Sequence, residues 1–217
     1  ETEVGLIIAL DCGIRAIDKV NYARELGIDF IICDHHQPGE EIPDTIVLDP
    51  LQKDCSYPFK VLSGCGVGFK LLQALFESNN WGTEVLHQQL DLLAISIGAD
   101  IVPVTDENRI FCAYGLEVLN KNPRLGIRAL VQLAKREFPL LLTDVVFVIA
   151  PRINAAGRLG PASEALALLL AEDLRERGYV TGLFGKWHLA RAYTGPDSVA
   201  EGPDRQGFDE TFITHQP

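Results

Sequence analysis

The chain has 217 residues, 47% of them hydrophobic, and a formal net charge of −11. A chain of this length and apolar content can bury a substantial core, while its acidic balance argues against a broad basic surface built to grip nucleic acid. An enzyme acting on nucleic acid is not excluded, because carboxylates clustered around a metal inflate the formal negative charge. No apolar run reaches the roughly 18 residues of a membrane span and no signal peptide opens the chain, so a cytoplasmic protein with no membrane association is expected. The five cysteines form no Cys-x-x-Cys pair and are expected as buried free thiols in a reducing compartment. A first residue of Glu1 and the lack of any methionine are what a fragment of a longer chain would show.

Gly5-Leu6-Ile7-Ile8-Ala9-Leu10 is a continuous apolar run, the pattern of a strand buried on both faces of a parallel sheet, and Asp11-Cys12-Gly13 turns away from it. Ala16, Ile17, Val20, Ala23 and Leu26 share one face at helical spacing, and Gly27 is placed to end that helix. A second apolar run, Phe30-Ile31-Ile32-Cys33, stops at a carboxylate and two imidazoles, Asp34-His35-His36, and Pro38-Gly39 ends any regular structure there. Thr45-Ile46-Val47-Leu48 reads as a third strand, closed by Asp49-Pro50. Strand, helix, strand, loop, strand at this spacing means a βαβ unit in an open parallel sheet, whose ligands bind beyond the carboxyl ends of the strands. The expected fold class is therefore α/β, an open parallel sheet flanked by helices, followed by a helical segment and an irregular tail.

Gly64-Cys65-Gly66-Val67-Gly68 introduces a helix expected over 67–78. A glycine-rich helix start can cradle phosphate, but no clear strand precedes this one, so a tight turn with close helix packing is the preferred reading. A helix over 87–98 leads into the turn carrying Asp100, and further helices are expected over 110–119 and 126–138. Pro151-Arg152-Ile153-Asn154-Ala155-Ala156-Gly157-Arg158 sets two arginines and an asparagine among small residues. That combination lets backbone approach a phosphate while a guanidinium fork binds its oxygens; it reads equally as a helix cap with surface arginines. From about residue 173 the chain is rich in Gly, Pro and aromatics, with one short strand near 178–184 and a loop-like remainder. The expected domains are an α/β core over 1–120, a helical segment over 121–172, and a tail over 173–217 that is not an independent domain.

Asp11, His35 and Asp100 stand where a divalent-metal site would draw its ligands. Carboxylate and imidazole donors suit an intermediate ion such as Mn²⁺, and also Zn²⁺ or Fe²⁺. Two such ions about 3.5–4 Å apart can generate a hydroxide and neutralise a phosphoryl group, although that needs more ligands than these three. His36 is expected to point away from the ligands, toward the phosphate or the leaving oxygen, and Asp34 to orient an imidazole from behind. The bland alternative for either aspartate alone is a turn or cap residue.

Ile31-Ile32-Cys33-Asp34-His35-His36-Gln37-Pro38 resembles the signature of the DHH phosphoesterase superfamily, and within it the RecJ-type single-stranded-DNA-specific exonucleases. Ile8-Ala9-Leu10-Asp11-Cys12-Gly13-Ile14 is similar to the family's second motif, and Gly98-Ala99-Asp100-Ile101-Val102-Pro103-Val104 with Asp106-Glu107-Asn108-Arg109 to its fourth. The 151–158 stretch resembles the family's own PRINAAGR segment, so the likeness covers about residues 1–170. It implies a 5′-to-3′ exonuclease on single-stranded DNA in repair and recombination, with a two-metal site for Mn²⁺ or Mg²⁺. On the matching positions, Asp11, His35 and Asp100 would be metal ligands and His36 and Asp34 catalytic. Arg152, Asn154 and Arg158 would bind substrate phosphate near the cleft. The family's first motif, an Asp-x-Asp, would precede Glu1, and its DHHA1 and nucleic-acid-binding modules would follow residue 170. A metal-binding but inactive fragment is therefore the alternative reading.

The tail resembles a different family. Leu174-Arg175-Glu176-Arg177-Gly178-Tyr179, Gly182-Leu183-Phe184-Gly185-Lys186-Trp187-His188-Leu189 and Arg205-Gln206-Gly207-Phe208-Asp209-Glu210 are similar to sulfatases, in which the residues matching Lys186 and His188 contact the sulfate ester. The nucleophile motif of that family, Cys or Ser before Pro-Ser-Arg, occurs nowhere in the chain. This likeness implies a hybrid joined near residues 168–174, with a sulfatase fragment as the rival function.

Overall fold

The computed structural model describes residues 4–159, 169–170, 182–185 and 210–213, arranged as two compact units, Glu1–Glu117 and Val118–Pro217. The first unit is built on three parallel strands, β1 (Leu6–Leu10), β2 (Asp29–Cys33) and β3 (Ile46–Leu48), in the order β1-β2-β3. Leu10 pairs with Cys33 and Cys33 with Leu48, so all three strands end at one level. The crossover helix α1 (Ile17–Glu25) buries Val20 and Ala23. Gly27, at φ 71°, takes the left-handed conformation that stops it.

The expectation that β1 is buried on both faces is overturned. Leu6, Ile8 and Leu10 are 47%, 47% and 54% exposed, while Ile7 and Ala9 are half-buried. The cause is position: among the described residues β1 lies at the edge of its sheet, and the helix on that face reaches it at its carboxyl end, where Gly68 lies against Leu10.

That helix, α2 (Gly64–Ser78), begins three residues before the expected start, because Ser63 caps it by accepting the Gly66 N–H at 3.1 Å. The single helix expected over 87–98 is two, α3 (Glu84–Gln88) and α4 (Leu90–Asp100). The Gln89 N–H turns back to the Leu86 carbonyl, tightening and closing α3. Helix α4 is buried nearly all round, through Leu90, Leu93, Ala94, Ile95 and Ile97, and ends where Ile101 enters the left-handed region at φ 55°. Helix α5 (Asp106–Lys121) starts four residues earlier than expected. Its Asn108, fully buried, donates to the Val61 and Pro103 carbonyls and so pins the segment just before α2.

In the second unit, α6 (Leu125–Leu133) is shorter than the expected 126–138, because Lys135 at φ 53° cannot continue it. Helix α7 (Leu142–Asp144), a π-helical turn (Val145–Ile149) and α8 (Ala150–Leu159) run on without a break. Pro151 accounts for the wide turn, since it has no N–H for the residue 147 carbonyl and its ring crowds that oxygen. Two short strands, β4 (Gly182–Gly185) and β5 (Glu210–Ile213), pair in parallel, so the tail is not loop-like at 210–213. Most of the tail, with Lys186 and His188, lies outside the described residues. All five cysteines are free, but only Cys33 and Cys112 are buried; Cys12 and Cys65 are exposed, against expectation.

Candidate metal centre

The carboxyl ends of β1 and β2 bring Asp11 and the Asp34-His35-His36 stretch together. Asp11 leaves β1 at φ 62° while its N–H still continues the ladder to the Cys33 carbonyl at 2.9 Å. A short polar side chain tolerates this left-handed conformation, and the turn places its carboxylate 3.1 Å from His35 Nε2. The other imidazole nitrogen of His35, Nδ1, lies 3.0 Å from the Leu62 carbonyl. A carbonyl can only accept, so Nδ1 carries the hydrogen, and in the neutral ring the Nε2 lone pair faces the Asp11 oxygen. Two acceptors at that separation require a proton or a cation between them.

Asp34 is the buried hub of the site, 1% exposed. One carboxylate oxygen accepts the Ile14 N–H at 2.9 Å; the other accepts the N–H groups of His35 and His36 and the Nδ1 of His36 at 2.7 Å. Burial alone would raise its pKa, but these donors together outweigh it and hold Asp34 below the usual carboxylate range. His36 is correspondingly raised, first by its bond to Asp34, against partial burial, with the charges of Asp11 and Asp100 adding to it. Its side chain is 60% exposed. Asp11, His35 and His36 each offer a donor atom within 4.8 Å of the others, while His36 is itself held by Asp34.

Asp100 is outside that closest trio but in its field. Partial burial first, then the charge of Asp11, raises its pKa, opposed by His35 and by a hydrogen bond from the Gly64 N–H. A carboxylate at the C-terminal end of α4 also faces the negative end of the helix dipole. Two mutually repelling acids beside an imidazole nitrogen form a donor set that fits a divalent cation of intermediate softness, with the Leu62 carbonyl fixing the imidazole as outer partners of metal ligands do.

Three contributors were not singled out from the sequence. The Leu62 carbonyl carried no signal, because any residue supplies one. Gly64 was read only as part of a turn. Asp49, 2% exposed, steps off β3 beside Asp34, whose N–H bonds to the Leu48 carbonyl. One Asp49 oxygen accepts the Leu51 N–H; the other is buried without a partner. Burial raises its pKa, with the Asp34 charge adding and the two imidazoles opposing.

In the second unit, Arg152 donates Nη1 to the Val148 carbonyl at 2.8 Å, and Asn154 is exposed on α8. Arg158 also falls in α8, but its side chain lies outside the described residues.

Residues 3–97 match the model of the DHH family, N-terminal domain. This segment is similar to a DHH domain. It contains Asp11, His35, His36, Asp49 and Gly64, with Asp100 just beyond its end. The single-stranded-DNA-specific exonuclease RecJ of Bacillus subtilis is 39% identical over 218 residues, covering 98% of this chain and 27% of that protein. RecJ of Escherichia coli is 38% identical over 183 residues, 79% of this chain and 32% of that one. Among solved structures, exonuclease RecJ bound to manganese superposes with a TM-score of 0.69 at 34% identity, over 80% of this chain and 44% of that chain. RecJ in complex with Mn²⁺ from Thermus thermophilus gives 0.67 at 29% identity, over 84% and 32%. The chain thus spans 27% to 32% of the length of these two curated relatives. The sulfatase likeness of the tail gains no support: a match covering 98% of the chain is too long to stop before residue 173.

Proposed function

We propose that the chain is the DHH-bearing part of a 5′-to-3′ exonuclease that hydrolyses single-stranded DNA with Mn²⁺ or Mg²⁺, in the cytoplasm, in repair and recombination. The observation that carries this reading is the Asp11–His35–His36 cluster, with His35 Nδ1 tied to the Leu62 carbonyl and Nε2 set 3.1 Å from the Asp11 carboxylate. Asp11 and His35 would hold the metal, with Asp100 and the family's further acids completing the site. When bound, a divalent ion at such a centre supplies a nucleophile at neutral pH and offsets phosphoryl charge.

The protein's own groups do the rest. Asp34 keeps the His36 proton on Nδ1 and fixes the ring, as a buried carboxylate orients a catalytic histidine. His36, raised toward its charged form and mostly exposed, can then present Nε2–H to a phosphate oxygen or to the departing oxygen. Arg152, with one guanidinium donor spent on Val148, keeps others for phosphate beside Asn154 and Arg158.

The test is nucleotide release from 5′-phosphorylated single-stranded DNA by the chain with Mn²⁺, beside His35→Ala. Release that falls at least a hundredfold in the variant supports the reading. Release that the variant retains would place the chemistry elsewhere.

A further inference from the structure

We infer that Gly64 is a positioning residue of the metal centre: its missing side chain leaves the space the Asp11 carboxylate occupies, so the start of α2 sets the placement of that acid. The inference rests on the metal-centre reading and names what holds that site in shape.

A Cβ built on Gly64 would lie 2.1 Å from Asp11 Oδ1, 2.5 Å from its Cγ and 2.6 Å from its Cβ. Ordinary carbon contacts are about 3.5–4.0 Å, so a methyl group and this Asp11 conformer cannot coexist. The Asp11 backbone is tied to Cys33, but its side chain is 53% exposed. It therefore has solvent to swing into, away from His35 Nε2.

The neighbouring glycines serve different ends. A Cβ on Gly66 would meet Ser63 Oγ at 3.3 Å and Leu62 at 3.4 Å, and one on Gly68 would meet a terminal methyl of Leu10 at 3.0 Å; neither meets an acid. Alanine is the better helix former, so Gly64→Ala is expected to spare α2 while displacing a ligand.

The experiment is calorimetric titration of Mn²⁺ into the wild-type chain, Gly64→Ala, Gly68→Ala, Asp11→Ala and the Asp11→Ala/Gly64→Ala pair, with thermal melts of each. Gly64→Ala should weaken Mn²⁺ binding about 10–100-fold, the range for residues that orient metal ligands, and Gly68→Ala should leave it within about twofold. In the Asp11→Ala background Gly64→Ala should cost nothing further, since the group it displaces is gone. A Gly64→Ala chain that binds Mn²⁺ as the wild type does would overturn the inference. So would an equal loss in both backgrounds, which would mark a structural defect whatever the melts show. A wild-type chain that binds no Mn²⁺ would overturn the metal-centre reading and this inference with it, whereas wild-type binding with an indifferent Gly64→Ala removes only the latter.

Discussion

Asp34 and His36 act as one titrating pair, and their shifts have opposite signs. Asp34 is depressed, so its contribution to stability is present above the unfolded aspartate value and is lost as pH falls through the lower folded value. His36 is raised, so its contribution is present below the unfolded histidine value and is lost as pH rises through the higher folded one. Stability from the pair should therefore be greatest between about pH 4 and pH 6.5. Asp34→Asn should remove that profile and cost roughly 2–3 kcal/mol, because an amide cannot accept from all the donors that converge on a buried carboxylate. Urea melts of both chains from pH 3 to 9 check this; parallel curves would show the pair to be uncoupled from folding. Asp11, Asp34, His35 and His36 were legible because each follows an apolar run that a strand explains, and a polar residue there falls at a ligand-binding edge. Asp49 looked like the turn residue that its Leu51 bond partly makes it, and nothing local distinguishes its unpartnered second oxygen.

At the level of elements, the strand order and parallel sense followed from spacing, since a crossover helix leaves little choice of hand or direction. The burial of β1 did not, because periodicity cannot tell an edge strand from a central one when both are apolar. The start of α2 was missed for a related reason. Three glycines within five residues suggest a loop, while the Ser63 cap that makes them helical is one residue in an otherwise ordinary stretch. Ser63 is fully buried; its Oγ accepts the Gly66 N–H and lies 3.1 Å from Ser96 Oγ. Ser63→Ala should cost about 1–2 kcal/mol and loosen the turn that sets Gly64 against Asp11. Denaturant melts read the cost; a change within a few tenths of a kcal/mol would show that the cap does not hold this helix start.

For the whole molecule, the charge of −11 is consistent with a chain whose acids converge on a cation rather than one that holds DNA by itself. No helix among the described residues is long and apolar enough to cross a membrane. The resemblance at Asp34-His35-His36 was strong because the motif compresses a strand end, a buried orienting acid and two imidazoles into three residues. The tail had no such concentration of chemistry, and its likeness to sulfatases lacked the nucleophile that would give it meaning. The central claim is that Asp11 and His35 hold a metal ion with His36 beside it. Its most direct test is paramagnetic broadening of the histidine ring resonances on adding Mn²⁺. His35 and His36 should lose their ring signals at substoichiometric metal while His87, outside the cluster, keeps its own. Broadening that spares His35 and His36, or that strikes the three alike, would contradict the claim.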